Sequence, residues 1–354
     1  VRAGHLQADK LNGVVESKLS AANNYVADCL LKDIPVTVDG IKSTFSDGSS
    51  SKDFWIFAEA WLNEKRRRDQ IRYWKRSKAV LTKFRDSAGS PLPWHQLSVR
   101  VLKDFDLFMV ELSNNGNTRG IAFRVLKTIL SDAEHEGILS TTENPFVRFR
   151  MPEGEPVRRD WLSQEEIQRL STLHFSPASL EQVARDMYLF SYWTRGTRFG
   201  DLALLKYSNI QDDRIKILIG KTGQHISVPI TERLEKIIDT YRSKSSSLVF
   251  PVLRNYKLAN KEAIVSAVGS ANARINRELK VIANAAGIEK RLTFHTARHS
   301  FAHSAYDAGI DVKTVQQALA HSKASTTDQY LRSLDDSGLD ATIEGMFDKT
   351  NKND

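Results

Sequence analysis

Two arginines, three histidines, a lysine and a late tyrosine stand at spacings that suit chemistry on a phosphodiester. His295-Thr296-Ala297-Arg298-His299 is followed by Leu319-Ala320-His321 and then by Tyr330, while Gly196-Thr197-Arg198 and Asp201 lie upstream. Arginine presents a planar fork of donors that matches two phosphate oxygens and keeps its charge. Histidine carries or releases a proton near neutral pH. A tyrosine hydroxyl can act as a covalent nucleophile. Lys221, in Gly220-Lys221-Thr222-Gly223, can reach from a flexible turn and hand a proton to a leaving oxygen.

Local elements must position these groups. Spacings of three and four place His295, Arg298 and His299 on one side of a helix, with Gly309 after Ala308 as its C-cap. Arg198 comes just after an apolar helix ending in Tyr192-Trp193, and Asp201, one turn on, can hold its guanidinium. Ile215, Ile217 and Ile219 alternate, as do Ile226, Val228 and Ile230, so Lys221 sits at the tip of a β-hairpin. Ser325 can cap a short helix carrying Tyr330, with Asp328 at the capping-box position. Taken singly, each group also fits a plain role: an internally bonded histidine, a surface ion pair, a solvated turn lysine, a packed tyrosine. A metal reading fails, because there is no HExxH pattern and no suitable carboxylate beside the histidine pair. Cys29 is the only cysteine, which rules out a disulfide within the chain and argues against a cysteine-based zinc site.

The chain has 354 residues, which suggests two or three domains. Residues 1–50 read as a helix, with Leu11, Val14, Val15, Leu19, Ala22 and Val26 near a 3.6-residue period, followed by a linker. Residues 51–150 read as a compact domain of about four helices. Asp53 caps the first of these helices, and Asn144-Pro145-Phe146 closes the block. Residues 151–162, with Pro152, Gly154 and Pro156, read as an inter-domain linker; Arg158-Arg159 would let it run beside a polyanion, and a plain solvated hinge fits these residues equally well. Residues 163–354 form the second domain, opened by a Ser163–Glu166 capping box. The predicted fold class is mainly α with one small antiparallel β element (α+β).

Charge is unevenly spread. Residues 51–150 carry 18 basic and 12 acidic groups, and residues 151–334 carry 26 and 19. The last twenty residues, 335–354, carry 2 basic and 6 acidic groups. A basic centre between acidic ends suits nucleic acid, although a merely basic protein would look the same on charge alone. No stretch reaches the run of about 20 apolar residues that spans a membrane. No secretory signal is visible, and the single cysteine fits a reducing cytoplasm.

Order and spacing together say more than any single group. The set runs GxR, hairpin lysine, HxxRH, a later histidine and a final tyrosine. It resembles the tyrosine recombinase (phage integrase) family over roughly residues 50–345. The motifs carrying the resemblance are Thr194-Arg195-Gly196-Thr197-Arg198, Gly220-Lys221-Thr222-Gly223, His295-Thr296-Ala297-Arg298-His299, Leu319-Ala320-His321-Ser322 and Thr326-Thr327-Asp328-Gln329-Tyr330. Family members often have Leu and Gly where this chain has Ala297 and Ala320, and neither change removes a reacting group. The N-terminal half looks like integrases of mobile elements from the Bacteroides group.

The resemblance implies a helical core-binding domain ahead of a catalytic domain. It implies DNA strand exchange through a 3′-phosphotyrosyl intermediate, with neither metal nor nucleotide cofactor. Arg198 and Arg298 would clamp the scissile phosphate, Tyr330 would attack it, and Lys221 would protonate the departing 5′ oxygen. His295 would assist as general base, and His321 would bond the phosphate. Asp201 and His299 would support the others. The partners implied are double-stranded DNA recombination sites, clamped between the two domains, and a homo-tetramer on paired sites, with no membrane. The stripe Leu339, Ile343, Met346 and Phe347 resembles the family's C-terminal docking helix, with docking in cis and in trans both open. Residues 1–50 would be the remnant of an arm-binding region. A type IB topoisomerase and a non-catalytic DNA-binding relative are the alternatives. The separate helical domain and the intact Arg198, Lys221, Arg298 and Tyr330 speak against them.

Overall fold

The computed structural model describes residues 8–32, 34–38, 41, 53–155, 159–242 and 246–320. His321, Tyr330 and the tail stripe lie outside the described residues. The chain divides into two compact units, Val1–Pro156 and Val157–Asp354.

The first unit begins with helix α1 (Ala8–Leu31). Among its described side chains Ala22, Tyr25 and Cys29 are buried, whereas Val15 and Leu19, at positions of the apolar period, stand about 60% exposed. Tyr25 sets this orientation by packing edge-on against His95, with ring centroids 4.7 Å apart. Four helices follow: α2 (Phe54–Arg67), α3 (Ile71–Ala88), α4 (Val99–Glu111) and α5 (Gly116–His135). Asp53 caps α2 by accepting the Trp55 N–H, and its second oxygen accepts the Leu92 N–H, each at 2.7 Å. The core is a column of rings: Phe54 on Phe84, Phe84 on Phe105, Phe105 on Phe123, each pair edge-to-face. Edge-to-face pairs add about 0.5–1.5 kcal/mol each beyond area burial. Near the surface, two cations lie over the Trp74 ring, Arg66 at 5.0 Å and Lys78 at 5.6 Å from its centroid.

The second unit opens on α6 (Gln164–Thr172), whose Ser163–Glu166 capping box forms as the spacing predicts. Helices α7 (Leu180–Trp193) and α8 (Phe199–Ala203) come next. The hairpin pairs β2 (Arg214–Leu218) with β3 (His225–Pro229), placing Ile215 opposite Val228 and Ile217 opposite Ile226. A two-residue strand β1 (Ile210–Gln211) makes the sheet three-stranded. It is too short to show an alternation in sequence. Helices α9 (Glu232–Tyr241), α10 (Lys261–Ala285), α11 (Thr296–Asp307) and α12 (Val312–Ala318) complete the unit.

A polar seam joins α7 to α11. The hydroxyl of fully buried Tyr188 lies 3.1 Å from Thr296 Oγ1 and 3.4 Å from Ser300 Oγ, and Tyr192 donates to Ser304 Oγ at 2.9 Å. These groups recur every four residues, so one face of each helix is satisfied along the seam. Buried hydroxyls are costly unless paired, so the seam fixes the register of α11 against α7.

Candidate active site

The seam bears directly on the predicted site, because α7 leads into the turn before Arg198 and α11 carries Arg298 and His299. After α7 the backbone turns through Arg195 (φ 62°) and Gly196 (φ 69°), both left-handed. Thr194 Oγ1 donates to Phe190 O, Thr197 Oγ1 to Thr194 O, and Ser191 Oγ to Thr197 O, all within 2.7 Å. This lacing delivers Gly196 onto Arg298. A Cβ at residue 196 would lie 2.7 Å from Arg298 Cα and 2.8 Å from its Cγ, so only glycine fits.

Arg298 is buried and pinned. Its Nη1 donates to Gly196 O at 2.9 Å and its Nη2 to Leu319 O. Two carbonyls thus fix the plane of the guanidinium. Arg198, at the N-cap of α8, stands across the same cavity. That cavity, about 140 Å³, is walled by Arg198, Arg298, His295, Asn272, Asn276 and Phe199, among others. The Arg198 Nη1 is buried and takes no acceptor among the described residues.

His295 keeps one side open to solvent. The protein packed about its ring, and then the cations Arg298, Arg198, Arg159 and Lys221, hold its pKa down, to about 4. Solvent on the open side screens those cations, and the ring is neutral at pH 7, able to accept a proton. His299, one turn along α11, is buried with its ring 4.8 Å from that of His295. Burial, then His295 and Arg159, lower its pKa to about 3. His303, the next turn on, lies flat against Trp161 with centroids 3.8 Å apart, and burial lowers its pKa to about 4.

Lys221 is exposed on the turn between β2 and β3. Gly223 closes that turn, with φ 71° and its N–H on Ile219 O at 2.8 Å. Asp201 Oδ1 accepts the Gly220 N–H at 3.1 Å, so α8 braces the turn that carries Lys221.

The structure therefore gathers Arg198, Arg298 and His295 on one cavity and brings Lys221 into its electrostatic field. Sequence reasoning missed three contributors. Arg159, read as linker, acts electrostatically on both His295 and His299. Asn272 and Asn276 were passed over inside a long helix, although two asparagines at helical spacing in a helix interior, where asparagine is a poor helix former, were the available signal. Among the described residues, no group of three His, Cys, Asp or Glu is placed to hold a metal ion. No described helix is long and apolar enough to cross a membrane.

Residues 160–337 match the phage integrase family, and residues 53–151 match the phage integrase SAM-like domain. The chain belongs to the phage integrase family. Among curated relatives, it is 28% identical over 215 residues to the tyrosine recombinase of Pseudothermotoga lettingae, covering 60% of this chain and 67% of that one. It is 28% identical over 200 residues to the tyrosine recombinase XerD of Listeria innocua, covering 55% and 65%. The chain thus spans about two thirds of the length of these relatives. The fold is that of the Tn1549 transposon integrase in complex with transposon right end DNA, with a TM-score of 0.61, 16% identity, and 81% of this chain and 98% of that one covered. It is also that of a lambda integrase tetramer bound to a Holliday junction, with a TM-score of 0.57, 20% identity, and 77% and 76% covered. The predicted family and the mainly helical fold with one small antiparallel sheet both hold.

Proposed function

We infer that this chain is a site-specific DNA recombinase that cleaves and rejoins double-stranded DNA through a 3′-phosphotyrosyl link, integrating or excising a mobile element. The observation that carries this reading is the cavity on which Arg198, Arg298 and His295 meet, with an Arg198 nitrogen that has no acceptor among the described residues. A buried donor without an acceptor is unfavourable, and a phosphodiester oxygen is the group that would satisfy it.

In this reading the two guanidiniums bind the non-bridging oxygens and stabilise the charge that grows in the pentavalent transition state. Arg298 is pinned beforehand by carbonyls, so little reorganisation is needed when charge develops. Tyr330 attacks phosphorus and the 5′ oxygen leaves. Neutral His295 takes the tyrosine proton, Lys221 gives one to the 5′ oxygen, and His321 bonds the phosphate. The bond energy is kept in the phosphotyrosyl link, so rejoining needs no nucleotide and no metal. Asp201 supports Lys221 through the turn, and His299 supports the Arg298 helix. Residues 51–150 and 163–354 each present basic groups to the backbone, joined by the linker at 151–162, and much of the affinity falls with salt. Four protomers on two paired sites make the working assembly, in the bacterial cytoplasm at the nucleoid. Family membership favours this over the topoisomerase reading, and the retained Arg198, Lys221, Arg298 and Tyr330 favour it over a non-catalytic relative.

The test is a library of nicked duplexes with randomised flanks. A nick near the cleavage point lets the severed end diffuse away and traps the covalent protein–DNA product. Wild type should give a protein–DNA band that survives denaturation, and sequencing the trapped strand identifies the site. Tyr330→Phe should bind the selected duplex and give no band. A band from Tyr330→Phe would remove Tyr330 as nucleophile, and no band from wild type on any duplex would refute cleavage.

A further inference from the structure

Asn272 and Asn276 stand one turn apart in the interior of α10, along the flank of a stripe that buries Val268, Ala271, Ile275, Leu279 and Ile282. Asparagine is a poor helix former because its amide competes for backbone bonds, so a pair here needs a tertiary reason. Both residues face the cavity that holds Arg198, Arg298 and His295. Asn276 Oδ1 accepts the Phe294 N–H at 2.7 Å. Its amide cannot swing, because Nδ2 donates to Asn272 O at 2.9 Å and to Asn272 Oδ1 at 3.1 Å.

Phe294 precedes His295, which is the N-cap of α11. An N–H ahead of a helix start has no partner within the helix, and Phe294 is buried, so an acceptor must come from elsewhere. The Phe294 ring is held separately, edge-on against Phe199 at 5.1 Å, next to Arg198. On the other side, Thr296 Oγ1 donates to Thr293 O at 2.6 Å and closes the turn. The segment is therefore fixed at the ring of 294, at the turn of 293–296, and at the one backbone N–H that Asn276 takes. With that last bond lost, the 294 peptide can rotate, and the imidazole that follows it moves with it.

We propose that Asn276, braced by Asn272, is a positioning residue for the strand-cleavage reaction: it holds the Phe294 peptide so that the His295 ring stays on the cavity shared with Arg198 and Arg298. The assignment rests on the proposed reading of the cavity as the phosphodiester site. Asn276 reacts with nothing itself, and its effect passes entirely through His295.

The test is a double-mutant cycle in the full chain, using the nicked duplex selected above. Asn276→Ala should slow covalent-product formation by about 10–100-fold, the scale of a misplaced catalytic group. Duplex affinity should change less than about twofold, since the phosphate contacts that set affinity remain. In a His295→Gln background the same substitution should cost less than about twofold, because the ring it positions is gone. Asn272→Ala keeps the Phe294 bond and loosens only the amide, so it should show a smaller loss that also vanishes in His295→Gln; it serves if Asn276→Ala does not fold. A rate for Asn276→Ala equal to wild type, or a loss of the same size in both backgrounds for either variant, would overturn the proposal. Arg198→Ala separates the two claims: an undiminished rate there would sink the reading of the cavity, whatever Asn276 does.

Discussion

Replacing Gly196 by alanine tests the packing that brings the two arginines together. The residue sits at φ 69°, where a side chain meets its own backbone. That conformation costs an L-residue about 1–2 kcal/mol. The added Cβ would also lie 2.7, 2.8 and 2.9 Å from Arg298 Cα, Cγ and Cβ. Two of these are helix-bound atoms of a pinned residue, so the neighbour cannot swing aside, and overpacking of this kind costs about 1–3 kcal/mol. Together the terms come to about 2–5 kcal/mol. For a unit of this size, each kcal/mol lowers the melting midpoint by about 2–4 °C. Gly309→Ala is the control: its φ is 76°, yet nothing lies within 4 Å of the added carbon, so it carries only the conformational term. Calorimetry of both variants in the full chain, following the second unit's transition, should place Gly196→Ala below Gly309→Ala by the overpacking term, about 1–3 kcal/mol. Cleavage should be lost with Gly196→Ala, because its carbonyl holds Arg298 Nη1, and retained with Gly309→Ala. A Gly196→Ala protein that melts no lower than the control and still cleaves would refute the argument that this contact sets Arg298.

Other expectations follow from the same geometry. Arg198→Ala and Arg298→Ala should each raise the cleavage barrier by about 3–4 kcal/mol, the scale of losing one preorganised donor, measured as single-turnover product formation. Lys221→Ala should be rescued by a duplex whose leaving 5′ oxygen is replaced by sulfur, which needs no proton; absence of rescue would remove the general-acid role. Buried His299 and His303 have pKa values lowered from 6.5 to about 3 and about 4. The unfolded chain therefore binds the extra protons, so their contribution is complete above pH of about 6.5 and drains as pH falls toward about 4. Melting midpoints across that window should decline, and His303→Gln should flatten the slope by about one proton; an unchanged slope would contradict burial of a neutral ring. Deleting residues 338–354 removes the acidic tail and its apolar stripe and should weaken pairing of two duplexes in a gel assay while sparing single-site binding; full-rate recombination by the truncated chain would show that the stripe is idle or packed in cis.

Much of the local structure is written in short-range pattern. Asp53, Ser163 with Glu166, and the alternating isoleucines around Lys221 act on neighbours a few residues away, and each makes the cap or hairpin that its spacing predicts. The candidate site was legible as residue types in a set order, because chemistry on a phosphodiester needs cations, a proton carrier and a nucleophile whatever the fold. What the chain alone could not show is who touches whom across distance. Gly196 and Arg298 are 102 positions apart, and nothing in Gly-Thr-Arg announces that the glycine is needed because a second arginine's backbone lies against it. Asn276 and Phe294 meet only when α10 packs beside the start of α11. Arg159 looked like linker charge until folding set it near two histidines. Along α1, Val15 and Leu19 fit the helical period yet stand exposed, while Tyr25 is buried because the fold brings it against His95. Caps and alternation are local energies that a sequence carries with it, whereas close approach, burial and a shifted pKa come from atoms that only the tertiary fold brings near.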